Sequence, residues 1–289
     1  MGGEKNGGSR FSVIIRGKIM EEKLTAGDTA LNEYKDFAVF ADIRCLSEQR
    51  VIKECKLFEI RQIMSNISAA IVRNELSERE KKELIERVLF FGMKGVVASP
   101  CYLNSTVTAI KKAKSDVRLI SVVDFPFGEG SIKSHLADVK ESASKGVDGV
   151  MAVFSASLFN SADFKETKKR IKKLGKLRSV DKYFAVSAMD LTAGGIKRLV
   201  KMATKYKIDG VSLLFGDAKE TEAVAKINEI KAAGLKKPVS VFANVRTLNA
   251  VKILYSLKAD EIITPFADEI AAELIKKFDV APDTCPQKG

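Results

Sequence analysis

The chain has no tryptophan, a single histidine and only four cysteines in 289 residues. One histidine, His135, leaves no material for a histidine-rich metal site and little for a histidine-dependent triad. Cys45, Cys55, Cys101 and Cys285 show no CxxC pair and no metal-ligand spacing, so the plain reading is a reduced, cytoplasmic chain. Neither a metal nor a cofactor is expected from these residues. Also missing is any apolar run near the roughly 18 residues of a membrane span, so no membrane partner is expected. Residues 1–10, MGGEKNGGSR, are too polar for a signal peptide, and Asn6 stands where a myristoylation motif wants Ser or Thr. Acidic residues are outnumbered: 37 Asp+Glu face 49 Lys+Arg, a net charge of +12. That excess favours an acidic partner and says nothing about fold.

What is present is a strong alternation. Short apolar, β-branched runs occur at Val39–Ile43, Gly95–Ala98, Arg118–Val123, Gly149–Phe154, Phe184–Ala188, Gly210–Leu214, Pro238–Val241 and Glu261–Thr264. From the second run onward their spacing suits one strand–helix unit each. Near-continuous apolar character fits strands buried on both faces of a parallel sheet. Between them lie helical stripes, such as Ile196, Leu199, Val200, Ala203 and Tyr206, or Val224, Ile227 and Ile230 before a capping Gly234. Residues 44–94 have room for two helices, the second opening on a Ser77/Glu80 capping box. Eight even repeats favour a (β/α)8 TIM barrel, with an extra N-terminal helical segment, over a doubly wound sheet. The expected organisation is a flexible tail over 1–27, one barrel domain over 28–279 and a flexible tail over 280–289.

The order of motifs adds a family. GVVASPCYL, VRLISVVDFPFGEGSIK and KGVDGVMAVFSASLF resemble the second, third and fourth strands of deoxyribose-phosphate aldolase, and KIDGVSLLFG and KPVSVFANVRT its sixth and seventh. The resemblance runs from about residue 38 to 275. It implies retro-aldol cleavage of 2-deoxyribose 5-phosphate through a Schiff base, which needs a lysine amine kept neutral by a neighbouring cation. Carried over position by position, the resemblance sets Ser212 where the family has its Schiff-base lysine. It sets Ser240 in place of the activating lysine and Met151 in place of the proton-relay aspartate. A serine cannot form an imine, and a thioether cannot relay a proton. Lys236 and Lys237 sit at the N-terminal end of the seventh strand, the wrong end for a barrel active site. Lys133 is a stray candidate amine.

The family's phosphate loops are altered in the same way. Leu213, Leu214, Phe215 and Gly216 replace the small loop after the sixth strand, Ala243 and Asn244 the paired glycines after the seventh, and Ile263–Phe266 the turn after the eighth. Bulky groups there, and Pro265, which lacks an N–H, would crowd an anion; Phe266 completes the turn. Asp42 and Arg246 keep family-like positions. Asp42, Asp124 and Asp190 are expected to cap helices or pair with cations, the alternative being a remodelled pocket. Cys101 is expected to be a quiet thiol, and His135 to face solvent or cap a helix.

Positive charge is concentrated. Residues 165–182 hold nine Lys/Arg against two acids, and residues 197–207 add five with none. Phe164, Ile171 and Leu174 supply the apolar stripe of the first segment. Lys168, Lys169, Arg170, Lys172 and Lys173, with Lys197, Arg198, Lys201 and Lys205, are therefore expected to form an outward basic wall. Without interleaved aromatics or a groove-reading motif, nucleic acid is disfavoured. An acidic protein surface is favoured, with F-actin taken only by analogy to other aldolases. Three readings stand: a non-catalytic binding protein, a lyase with a relocated lysine and another aldehyde substrate, and a regulatory partner of an active aldolase. Oligomeric state is not readable from the sequence.

Overall fold

The computed structural model describes residues 10–15, 18–23, 48–72, 76–161, 165–178, 180–256 and 259–278. The chain divides into two compact units, Met1–Cys55 and Lys56–Gly289. In the first, β1 (Arg10–Ile15) pairs antiparallel with β2 (Lys18–Lys23), within the stretch expected to be a tail. Val39–Ile43, Asp42 and the expected C-terminal tail lie outside the described residues. Helix α1 (Glu48–Met64) follows.

The second unit is a closed barrel of eight parallel strands. They are β3 (Ile67–Ile71), β4 (Gly95–Ala98), β5 (Arg118–Val123), β6 (Gly149–Phe154), β7 (Asp181–Ser187), β8 (Gly210–Gly216), β9 (Val239–Ala243) and β10 (Glu261–Thr264). Its helices are α2 (Glu78–Phe91), α3 (Leu103–Lys112), α4 (Ile132–Ser144), α5 (Ala156–Asn160), α6 (Lys165–Leu174), α7 (Ala193–Lys205), α8 (Glu220–Ala232), α9 (Leu248–Ser256) and α10 (Ala267–Lys277). The (β/α)8 expectation holds, with one correction. The strand that closes the ring between β10 and β4 is Ile67–Ile71, not Val39–Ile43. The reason is local: Ile67–Ile71 is buried at every position and is followed at once by α2, whose Ser77/Glu80 capping box forms as expected.

Alternation sorts each strand into two layers. Side chains such as Val211, Leu213 and Val241 face the helices and join the large outer core. The alternate positions, including Ala70, Val97, Met151, Leu214 and Phe242, pack with one another in a separate cluster that fills the bore. At the N-terminal end the bore is closed by polar pairs. Arg118 donates to Asp181 (2.7 Å) and to the Tyr183 hydroxyl (2.7 Å), and Ser68 donates to the buried Glu261. Burial pushes the Tyr183 phenol above its ordinary pKa, against the pull of Arg118. The ring lies close over Gly149 and Gly210, where an added Cβ would come within 3.1 and 3.0 Å of it.

Candidate functional site

The site of interest is the C-terminal mouth, where barrel loops converge. A cleft of about 800 Å³ opens there, bounded by the ends of β3 and β5–β10. Its floor is set by a contact across the barrel. Phe125, just after β5, stacks on Phe242 of β9 with ring centroids 5.0 Å apart and planes 17° from parallel. In the strand order these two strands stand opposite each other, so the rings bridge the bore.

The loop carrying Phe125 is pinned from beneath. Asp124 adopts φ +60°, its carbonyl accepts the Gly128 N–H (2.8 Å), and its carboxylate accepts from His135 Nδ1 (2.5 Å). Gly128, φ +69°, has no room for a side chain: a Cβ would stand 2.6 Å from the Phe154 backbone. His135 is completely buried and packs 5.2 Å from the Phe154 ring, which corrects the expectation that it faces solvent. Its signal was available in sequence, since it begins the stripe His135, Val139, Ser142 of α4. Asp124 pairs with this histidine rather than with Arg or Lys.

The three positions matched to catalytic residues lie below the floor. Met151 belongs to the bore cluster, and Ser212 and Ser240, in register with each other, share the inward parity of Leu214 and Phe242. All three are buried, and the Ser212 hydroxyl has no hydrogen-bond partner. Among the described residues that line the cleft there is no lysine, arginine or histidine. Lys133 is exposed on α4, Lys236 precedes β9 at the far end of the barrel, and Cys101 is an exposed free thiol after β4; none lines the cleft.

Two backbone donors of the loops matched to phosphate binding are engaged within the protein. Asn244 N–H donates to Gly216 O (2.9 Å), and Phe266 N–H to the Thr264 hydroxyl (3.1 Å). Asn244 Nδ2 donates to Asp217 (2.7 Å). Leu214, Phe215, Ala243 and Phe266 are buried at the rim. The helices that begin here carry acids in their first turns, Glu220 and Glu222 on α8 and Asp268 and Glu269 on α10. Those charges occupy the positive end of the helix dipole that a phosphate would use. Arg246 is tied to Glu269 (2.7 Å), lies 3.3 Å from the Phe266 ring centroid and does not line the cleft.

The basic wall needs revision. Lys168, Lys169, Lys172 and Lys173 on α6 and Lys197, Lys201 and Lys205 on α7 are exposed. Arg170 is not: it is 4% exposed and donates to Glu166 (2.6 Å). It follows the buried Thr167 by three residues and precedes the buried Leu174 by four, so it falls on the inward stripe. Arg198 is half-buried and donates to the Phe159 (2.8 Å) and Asn160 (3.2 Å) carbonyls, closing the end of α5. Phe164 lies outside the described residues. Among the described residues no group of three potential ligands could hold a metal, and no helix is long and apolar enough to cross a membrane.

A closed ring of eight parallel strands with helices outside and a cleft at the carboxyl mouth is a (β/α)8 barrel. No protein-family model matches the chain. Relatives are nonetheless found: deoxyribose-phosphate aldolase of Thermoanaerobacter sp. (strain X514) is 22% identical over 205 residues, 69% of this chain and 91% of that protein. The aldolase of that name from Mycoplasmoides pirum is 24% identical over 216 residues, covering 72% and 95%. Among solved structures, QR15, an aldolase, superposes with TM-score 0.65 at 19% identity, covering 75% of this chain and 98% of that one. The deoxyribose phosphate aldolase of Aeropyrum pernix gives 0.64 at 16%, covering 78% and 97%. The chain is thus a (β/α)8 barrel similar in sequence and fold to deoxyribose-phosphate aldolases.

Proposed function

We propose that this chain is a non-catalytic binding protein built on an aldolase-like barrel, acting in the cytoplasm. The observation that carries the reading is the mouth itself: no amine among its described lining residues, and an aromatic floor over Met151, Ser212 and Ser240. Imine formation needs a neutral amine within reach of the carbonyl, and phosphate binding needs free N–H donors, of which those of Asn244 and Phe266 are engaged within the protein. The surface proposed for binding is the exposed lysine face of α6 and α7, and its partner an acidic protein surface. Filamentous actin is the first partner to try.

Two experiments test the two halves. Borohydride treatment with deoxyribose 5-phosphate or small aldehydes is expected to leave the chain unmodified; a stoichiometric adduct on one lysine would establish a relocated Schiff-base centre and end the non-catalytic reading. Co-sedimentation with F-actin is expected at low salt and to decline through about 0.15 M, where screening acts over roughly 8 Å. Failure to bind F-actin or any other acidic protein in a salt-sensitive way would remove the partner proposal.

A further inference from the structure

The mouth of the barrel has lost the features of an anion site, yet it has not been filled. Its cleft has the size of a small-molecule pocket, about 800 Å³, and a divided wall. From β8 round through β10 to β3 the lining is mostly apolar, with Val72, Leu214, Phe242, Pro265 and Phe266. From β5 to β7 it adds hydroxyls and two carboxylates, Glu129 and Asp190, among the rings of Phe125, Phe127 and Phe154. In a chain with 49 Lys+Arg, no basic side chain among the described residues lines this space.

Asp190 is held at both ends: its side chain accepts from Ser187, and its carbonyl accepts from Asn160 Nδ2 (2.8 Å). Asn160 is itself fixed by the Thr192 N–H and hydroxyl, each at 3.0 Å. Neither Glu129 nor Asp190 has a cationic partner among the described residues. A separate observation marks the same two loops. The large hydrophobic side chains that stand exposed among the described residues are Phe127, 71% exposed, and Met189, 42% exposed. Phe127 precedes Glu129 by two residues, and Met189 precedes Asp190 by one. The Phe127 loop therefore offers uncovered apolar surface in the cleft beside an uncompensated negative charge, above a stacked aromatic floor.

We propose that the barrel mouth binds a small aromatic molecule bearing a positively charged amine. The flat body would lie on the aromatic floor and against Phe127, and the ammonium would face Glu129 and Asp190. The cleft shares no residue with the lysine faces of α6 and α7, so this site and the proposed acidic partner stand or fall separately.

The absence of tryptophan makes the test direct, because an indole probe excited beyond the tyrosine range reports without protein background. Titration with tryptamine is expected to saturate at one site, with indole-3-acetate, an indole of opposite charge, at least about tenfold weaker. Glu129→Gln and Asp190→Asn are expected each to reduce that discrimination, and together to bring it within about twofold, with melting temperature unchanged. Glu129 is exposed with no partner, so its variant stays folded and keeps the test valid. Phe127→Ala is expected to weaken both ligands alike. Equal or tighter binding of the anion, no saturable binding of tryptamine, or full discrimination in the double variant overturns the proposal.

Discussion

At the scale of single residues, Ser212 places a fully buried hydroxyl without a hydrogen-bond partner in the bore. A buried hydroxyl with no partner costs free energy that an alanine there would not. Ser212→Ala is accordingly expected to stabilise the protein by about 1 kcal/mol, a rise of roughly 2 °C in Tm. A loss of stability of that size on thermal unfolding would mean that the hydroxyl makes a contact that matters. Asp124 predicts the opposite sign. Removing its carboxylate strands His135 Nδ1 in a fully buried place, so Asp124→Ala is expected to cost about 2 kcal/mol in urea unfolding. No change in the midpoint would show that the pair does not hold the loop. Much of this was legible residue by residue. The match of motifs sets positions 151, 212 and 240 on the fourth, sixth and seventh strands, at the family's catalytic positions. The cross-barrel contact of Phe125 with Phe242 was not legible, because it joins residues 117 positions apart whose local sequence only says "strand end". Glu129 and the serines of the cleft escaped for a related reason: short polar loop residues carry no periodicity.

At the scale of elements, α6 shows how far a helical pattern can be trusted. Counting lysines and arginines along 165–182 gives the density of charge, but the 3.6-residue period decides which charges reach a partner. Arg170 falls with Thr167, Ile171 and Leu174 on the buried stripe, and the lysines at 168, 169, 172 and 173 fall outside it. Two substitutions on one helix should thus part company. Arg170→Ala removes buried stem packing and the contact to Glu166, and is expected to cost roughly 1–3 kcal/mol. Lys169→Ala is expected to stay within about 0.5 kcal/mol in stability, while charge reversal of the exposed lysines is expected to abolish the proposed salt-sensitive binding of an acidic protein. Chemical denaturation of both variants checks the first contrast; equal losses would mean that the helix is turned differently. The same logic explains the strand that was misplaced. Ile67–Ile71, ISAAI, has two alanines and a serine and so a weak apolar signal, whereas FAVFADI around Val39 is richer in strand-forming side chains. Small residues suffice in β3 because the bore side needs little volume beneath the aromatic floor.

At the scale of the molecule, the reassigned strand has a consequence for cooperativity. A barrel has no edges, so every strand is hydrogen-bonded on both sides, and β3 is the one that joins β10 to β4. If Ile67–Ile71 closes the ring, its amides cannot open without breaking two ladders and exposing both the bore cluster and the outer core. Their exchange should then proceed by the same global opening that governs β6, β7 and β8, with free energies near that of unfolding. Native-state hydrogen exchange on the full chain reads this strand by strand. Protection of residues 67–71 several kcal/mol below that of β6–β8 would place β3 outside the cooperative unit. Matched protection would fix the barrel at residues 67–277. It would also leave the seal over Met151, Ser212 and Ser240 as rigid as the barrel itself, since Phe242 sits on a strand of that unit and Phe125 is anchored through His135.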